Sequence, residues 1–131
     1  MKKISEEWLK AATDDLSVIE KIISDDHLTH MVAFHSQQAI EKSLKAVIEE
    51  YEIDQAKIHN LERLLEVVYD HIKPEIDINV IEKMDKLYID ARYPADFGLL
   101  PDGKPTIKDA EEFHAAARYI YESVKSYLEE Q

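Results

Sequence analysis

The sequence predicts an all-α fold, an up-and-down helical bundle of four long helices and one shorter helix. Apolar residues recur at three- and four-residue steps along most of the chain, as in amphipathic helices, and no run alternates as a strand does. All four prolines and both glycines lie between residues 74 and 105, so long uninterrupted helices are expected on both sides of that region. The 131 residues suit one compact domain, and we expect a single domain over residues 1–131.

The first two helices precede the region that contains the prolines. Ser5, followed by two glutamates, predicts a helix start, and an apolar stripe then continues to about Ser24. The second helix is predicted from about Thr29 to Glu52, which corresponds to roughly 35 Å at ~1.5 Å per residue.

The third and fourth helices are shorter and are separated by a proline. The third is predicted to begin after His59 and Asn60, either of which could cap it, and to continue until Pro74. The fourth is predicted from about Asp77 to Arg92, since a proline follows closely.

A fifth helix follows the irregular stretch 95–106. It places a regular apolar stripe on one face, made of Ala110, Phe113, Ala117, Ile120, Val124 and Leu128. Short connections between five helices are typical of an up-and-down bundle.

Composition and charge exclude several classes of protein. The net charge is 16 − 28 = −12, and such a field repels the phosphates of duplex DNA, although a small basic site could still hold a nucleotide or a short RNA. No cysteine is present, which excludes disulfides, thiolate metal sites and cysteine nucleophiles. The N-terminus lacks the apolar run of a signal peptide and no apolar run is long enough to span a membrane, so we expect a cytoplasmic protein without a membrane partner.

The second helix carries the most informative polar pattern. One face is lined by His35, Gln38, Lys42, Lys45 and Glu49, with Glu41 alongside. The pattern fits a binding face, and it also fits a solvated face with intrahelical Glu–Lys pairs. Gln37 falls on the apolar face between Ala33 and Ile40, where a buried amide needs partners, so we expect it to belong to a polar network.

A second candidate site lies where the fourth helix meets the following loop. Arg92, Tyr93 and Asp96 combine a guanidinium, a phenol and a carboxylate within five residues. Arginine can bind phosphate in bidentate fashion and tyrosine can stack on a base. An ion pair of Arg92 with Asp96 or Glu41 that ties the loop to the bundle explains the same residues equally well.

Metal sites and familiar catalytic motifs are missing from the sequence. Among the six histidines, the only pair at helical spacing is His27 and His30, which we interpret as a polar helix entrance. A Glu-x-x-His motif does not occur on two helices, as carboxylate di-iron bundles require. We therefore expect no metal and no cofactor.

Several segments of the sequence form a recognisable set. They are Trp8, Ala12 and Asp15-Leu16, the run 33–46 (AFHSQQAIEKSLKA), His59-Asn60-Leu61, and Tyr88 followed by Ala91-Arg92-Tyr93-Pro94. Together they resemble the HEPN family, the higher eukaryotes and prokaryotes nucleotide-binding domain. The resemblance implies a helical bundle that commonly dimerises and that acts beside minimal nucleotidyltransferases or in nucleotide or RNA transactions.

The chain departs from the pattern of the HEPN members that cut RNA. Many of those carry an arginine, four to six intervening residues, and then a histidine. Here the first histidine after Arg92 is His114, and Arg63 and His71 are separated by seven residues, about 12 Å along one helix. We therefore expect no ribonuclease activity.

The leading hypothesis is a non-catalytic, homodimeric HEPN module that binds a nucleotide or short RNA, or docks onto a minimal nucleotidyltransferase. The predicted ligand-binding residues are Lys42, Lys45, Arg92 and Tyr93, with His35 and Asp96 as supporting partners. The dimer is predicted from the family resemblance and from the extra tyrosines of the last helix, Tyr119, Tyr121 and Tyr127. The alternatives are a ribonuclease toxin of a toxin–antitoxin system, using His35 or His59 with Arg92, and an interaction bundle without a ligand.

Overall fold

The structure, a computed structural model, describes residues 1–54, 57–91 and 104–131, and for residues 89–91 it describes the backbone only. The five α-helices of this part of the chain are α1 (Lys3–Ile22), α2 (Thr29–Glu50), α3 (Leu61–Val67), α4 (Ile78–Ala91) and α5 (Ile107–Glu129), and a short 3₁₀ helix (Asp26–Leu28) precedes α2. No strand occurs within these residues. The predicted all-α fold, with four long helices and one short one, is confirmed.

Helix α2 is the centre of the bundle. It packs against each of the other four helices, most extensively against α1 and α5. Ile40 and Leu44 of α2 are fully buried, as are Ile19 of α1 and Phe113 and Ile120 of α5. Burial of each such side chain stabilises the fold by roughly 1.5–3 kcal/mol. Because the other four helices all bury side chains against α2, this helix forms the core of the bundle.

The N-terminus of α1 lies two residues before the predicted start. Ser5 is buried inside the first turn, and Lys2 occupies the position before the helix. The backbone N–H of Lys2 donates to the Glu50 carboxylate at 2.8 Å, and the Lys2 ammonium lies 3.4 Å from the Glu52 carboxylate. The start of α1 is therefore fixed by contacts with the end of α2 rather than by a local serine cap.

Helix α2 ends two residues earlier than predicted, at Glu50. Glu52 has a φ of 50°, in the left-handed region, and cannot continue the helix. The N–H of Ile53 donates to Ile48 O at 3.0 Å and that of Glu52 to Glu49 O at 3.3 Å. These two bonds form a Schellman motif, which satisfies carbonyl groups that a helix terminus leaves open.

The prediction that α3 extends to Pro74 is wrong, because the helix ends at Val67. Tyr69 N–H donates to Glu66 O and His71 N–H to Val68 O across three-residue turns, and one four-residue bond joins Ile72 N–H to Val68 O, so the regular α-helical ladder is not continued. Val68 is nevertheless fully buried, which means that the apolar pattern identified the inward face but not the helix end. Asn60 caps the start, as one of the two alternatives predicted, by accepting from the Arg63 N–H at 3.0 Å.

Helix α5 begins at a capping box formed by Thr106 and Asp109, each of whose side chains accepts from the other's backbone N–H at 3.0 Å. Within the described residues, no helix combines the length and apolar character needed to cross a membrane.

Candidate functional site

The polar face of α2 is organised around two buried carboxylates. The first is Asp15 of α1, which is 7% exposed. It accepts a hydrogen bond from Lys42 Nζ at 2.7 Å, and its other oxygen lies 2.8 Å from His35 Nδ1. His35 and Lys42 are seven residues apart on one face of α2, so this carboxylate joins α1 to two successive turns of α2. We call Asp15, His35 and Lys42 the Asp15 cluster.

The second buried carboxylate is Glu41 of α2, which is 6% exposed. It lies 3.1 Å from His59 Nδ1 and 3.4 Å from Lys45 Nζ, and it accepts from Gln37 Nε2 at 3.2 Å. We call these four residues the Glu41 cluster. The ammonium group of Lys45 also lies 5.5 Å from the centre of the Trp8 ring, a cation–π contact that orients the lysine between α1 and α2.

Gln37 connects the Glu41 cluster to the segment before α3. Its side chain is fully buried, and its Nε2 also donates to the backbone carbonyl of His59 at 3.0 Å. Its carbonyl oxygen accepts from Gln38 Nε2 at 2.8 Å. The prediction that Gln37 is a buried member of a polar network is confirmed, and the network fixes the position of His59 relative to α2.

A third buried carboxylate, Asp85 of α4, holds the N-terminus of α3. It accepts from the N–H groups of Leu61 at 2.8 Å and Glu62 at 3.2 Å, the positive end of the helix. Burial raises the pKa of Asp85, the two backbone hydrogen bonds act in the opposite direction, and the negative charge of Glu41 adds to the increase. Asp85 thereby anchors the segment that carries His59, two residues before Leu61.

The last turns of α4 lie beside the Asp15 cluster. The ring of Tyr88 stacks on Phe34 at a centroid distance of 5.8 Å, and Phe34 meets His35 edge-on at 5.2 Å. Helix α4 therefore contacts α2 at the residue next to His35, three residues before its last described residue, Ala91.

The structure describes three of the six predicted site residues, His35, Lys42 and Lys45. His35 and Lys42 share the carboxylate of Asp15, and Lys45 pairs with Glu41 within the same helix. The interpretation of the face as intrahelical Glu–Lys pairs is therefore correct for Lys45 alone. Three predicted residues, Arg92, Tyr93 and Asp96, lie outside the described residues.

Sequence reasoning missed the roles of Asp15 and Asp85 in the site. Asp15 stands at helical spacing among Ala12, Leu16 and Ile19, which are buried, so an acid in an apolar stripe was the available signal. Asp85 follows the buried Met84 and offers a weaker signal of the same kind.

Arg63 and His71 do not form a joint site. The guanidinium of Arg63 binds Glu66 at 3.0 Å, and the His71 ring stacks on Tyr51 at 4.0 Å. In the described part of the chain, no three His, Asp or Glu side chains are arranged to hold a metal ion.

The tyrosines of α5 have different environments. Tyr121 and Tyr127 are half-buried against the core, whereas Tyr119 is 44% exposed. Only Tyr119 of the three is therefore a largely exposed aromatic surface, and the homodimer stays a prediction.

Comparison with known proteins decides the family. The model of the HEPN domain matches residues 5–127, nearly the whole chain. The chain belongs to the HEPN family. The relatives of this HEPN chain include a Methanocaldococcus jannaschii protein named "Putative toxin MJ1304", which is 30% identical over 140 residues and matches 98% of this chain and 90% of its own length.

Solved structures share the HEPN fold. The crystal structure of ST0689, an archaeal HEPN homologue, has a TM-score of 0.70 and 29% identity, over 95% of this chain and 98% of its own. The crystal structure of TT1696 from Thermus thermophilus has a TM-score of 0.69 and 24% identity, over 96% and 99% of the two chains, and shows the likeness of fold.

Proposed function

We propose that this HEPN chain is a non-catalytic module that binds the phosphate groups of a nucleotide or short RNA at the polar face of α2 and docks onto a minimal nucleotidyltransferase. The observation that carries the proposal is the stacking of Tyr88 on Phe34, beside His35. It brings the α4 segment that leads to Arg92 next to the helix that carries Lys42.

The buried carboxylates support this proposal by holding the cationic side chains in one geometry. Lys42 and Lys45 retain only 26% and 15% of their side-chain exposure, and each is oriented by an acid. A ligand that meets ordered side chains loses less conformational entropy on binding than one that must order them.

The charges of the site support the inclusion of Arg92 in the proposal. The lysines of the two clusters contribute two positive charges, and Asp15 and Glu41 contribute two negative charges, so these four groups are balanced. Arg92, the next residue in sequence after Ala91, adds a positive charge, and Asp96, its predicted supporting partner, adds a negative one. The planar guanidinium of Arg92 suits a phosphate better than an ammonium does.

The binding test uses ATP, GTP and a short fluorescein-labelled single-stranded RNA with the purified protein. We expect Arg92→Lys and Arg92→Ala to weaken binding at least about tenfold, equivalent to about 1.4 kcal/mol, without a change in melting temperature. Lys21 is an exposed lysine in the last turn of α1, and Lys21→Met is the matched control for loss of positive charge. Binding by both Arg92 variants at wild-type affinity, or no binding of any probe by the wild type, contradicts the proposal.

The contribution of Lys42 needs a variant that leaves no buried charge behind. Lys42→Met alone removes the lysine that matches the charge of the buried Asp15 carboxylate, so we pair it with Asp15→Asn. The double variant is expected to fold and to bind ligand at least about tenfold more weakly. A double variant that folds and binds as the wild type does removes Lys42 from the site.

Docking is tested with the nucleotidyltransferase encoded beside this gene, if the genome has one. We expect the two purified proteins to co-elute from a sizing column. Separate elution of the two proteins, or a gene without such a neighbour, contradicts the docking half of the proposal and leaves ligand binding as a separate question.

The second candidate function is a ribonuclease toxin. The relative named as a toxin favours it, as does the contact of His35 and His59 with buried carboxylates, since such contacts orient a general acid or base. Against it stands the missing spacing of arginine and histidine in the sequence. We expect no cleavage of mixed RNA by highly purified protein, whereas cleavage that disappears in His35→Ala, His59→Ala or Arg92→Ala makes the toxin the better interpretation.

A further inference from the structure

An open groove of about 420 Å³ lies between the start of α4 and the middle of α5, apart from the polar face of α2. Its apolar lining comes from Ile76, Val80, Ala115, Ala116 and Tyr119. The volume falls in the range of ~300–1,000 Å³ that is typical of binding pockets.

The groove is preformed and faces solvent. The hydroxyl of Tyr119 accepts a hydrogen bond from the backbone N–H of Glu75 at 3.3 Å, which holds the ring against the segment before α4. Ile76 and Val80 pack against the core, so this side is fixed as well. Tyr119 remains 44% exposed and Ala115 is exposed, so apolar surface is available to a partner without rearrangement.

The rim of the groove is acidic. Glu75, Asp77 and Glu112 are exposed, and the described residues that line the groove include no lysine, arginine or histidine. Lys83 of α4 is held by Asp109 at 2.8 Å, so its charge is already matched. Three exposed carboxylates around an apolar groove favour a partner of positive charge.

We propose that this groove docks a segment of a partner protein that presents an aliphatic or aromatic side chain flanked by lysine or arginine. The apolar side chain enters between Val80 and Tyr119, and the basic residues meet the carboxylates of the rim. A second copy of this chain fits poorly, because pairing the groove with itself brings three carboxylates from each copy into one interface. The site goes beyond nucleotide or RNA binding, which uses the opposite type of charge.

The experiment measures binding of a fluorescein-labelled, eighteen-residue amphipathic helix of leucine and lysine to the full chain by fluorescence anisotropy. A leucine–glutamate peptide with the same apolar face is the peptide control. We expect the lysine peptide to bind and the glutamate peptide not to bind. Ala115→Arg, which fills the groove and adds a positive charge, is expected to weaken binding of the lysine peptide at least about tenfold.

Matched protein variants separate the groove from general acidity. Glu112→Lys is expected to weaken binding at least about tenfold, whereas Glu111→Lys, the same change one residue earlier and outside the groove, is expected to have little effect. Ser126→Arg adds the same charge at an exposed position of α5 outside the groove. It is the control for Ala115→Arg and is expected to have little effect on binding. Circular dichroism of each variant establishes that it is folded.

Three results overturn the inference. They are no binding of the lysine peptide by the wild type, equal weakening by Glu111→Lys and Glu112→Lys, and a dimer mass in light scattering that becomes monomeric in Ala115→Arg. The last result shows that a second copy occupies the groove.

Discussion

The Asp15 and Glu41 clusters each place a buried carboxylate against one histidine and one lysine, yet they are built differently. Among the described residues, Asp15 has two polar partners, His35 and Lys42, and both lie on a different helix. Glu41 has three, of which Gln37 and Lys45 lie on its own helix. The fewer donors a buried carboxylate has, the more the free energy of unfolding falls when one of them is removed. Loss of a donor at Asp15 should therefore destabilise the protein more than loss of a donor at Glu41.

The two histidines differ in access as well. The side chain of His35 is 20% exposed, because it lies between Asp15 and the ring of Phe34. That of His59 is 47% exposed, although its backbone carbonyl is bound by the buried Gln37. A ligand in solution can therefore reach the His59 ring more readily than the His35 ring.

The largest expected effect comes from removing the two lysines one at a time. Lys42→Met leaves Asp15 with His35 as its one remaining partner among the described residues. It should lower the free energy of unfolding by about 2 kcal/mol, less than the roughly 3–5 kcal/mol of a fully buried pair because Lys42 is partly exposed. Lys45→Met leaves Glu41 with Gln37 and His59. It should cost about 1 kcal/mol although Lys45 is the more buried lysine, because two partners remain and the Lys45 ammonium lies farther from its carboxylate, at 3.4 Å. Urea unfolding followed by circular dichroism at pH 7 measures both.

Two controls make that comparison decisive. Lys21→Met should leave the free energy of unfolding unchanged, and adding Asp15→Asn to Lys42→Met should recover part of the loss, because the stranded charge is gone. Equal losses for the two single variants show that the number of donors does not set the sensitivity of the two carboxylates.

The next effect concerns a histidine outside the clusters. Burial lowers the pKa of His114 on α5 below its ordinary value of 6.5, and the charge of Arg118 lowers it further. The unfolded chain therefore binds a proton near pH 6.5 that the folded chain does not bind, so stability that is present above pH 6.5 is lost as the pH falls through the folded-state pKa.

We expect His114→Gln to flatten the loss of stability below pH 6.5. Urea midpoints measured from pH 7.5 to pH 5 give the slope, and the variant should be nearly unchanged at the upper end. Part of the slope should persist, because burial and the charge of Lys104 lower the pKa of His30 in the same direction. If urea midpoints of His114→Gln fall with pH as steeply as those of the wild type, the His114 ring does not contribute to the loss of stability in acid. In that case no contribution of His114 has to be subtracted when the two clusters are compared at low pH.

The smallest effect is expected at an exposed contact between helices. Arg118 of α5 pairs with Glu20 of α1 at 3.1 Å and with Glu122 at 3.3 Å, with 49% of its side chain exposed. Exposed pairs contribute about 0–1 kcal/mol, so Arg118→Ala should lower the free energy of unfolding by about 0.5 kcal/mol. The difference should disappear when urea unfolding is repeated in 1 M salt, which shortens the screening length to about 3 Å. If Arg118→Ala lowers the free energy of unfolding as much as Lys42→Met does, burial is not the reason why the ion pair of Lys42 stabilises the protein more than that of Arg118.

The helices were predictable because the apolar period is a local property. Each of the five predicted segments overlaps an observed helix, and the inward residues of α5 from Ala110 to Leu128 are buried as predicted. Helix ends were less predictable where distant groups define them. The start of α1 depends on Glu50 and the end of α2 on the left-handed Glu52, and neither carries a strong local signal.

Half of the predicted site could be checked. The polar stripe of α2 placed His35, Lys42 and Lys45 on one face, since seven- and three-residue steps return to the same side of a helix. Arg92, Tyr93 and Asp96 lie outside the described residues, so the pocket that they were predicted to complete remains a proposal.

The sequence by itself determined the all-α class, the amphipathic second helix, the family and the need of Gln37 for buried partners. Only the tertiary structure decided which carboxylate pairs with which lysine or histidine. Lys42 has acidic residues near it in sequence, but its carboxylate is Asp15, twenty-seven positions away. Periodicity gives each helix its inward face, whereas the pairing of two such faces depends on how the helices pack, and a buried charge is stabilised by whichever donor that packing brings within reach.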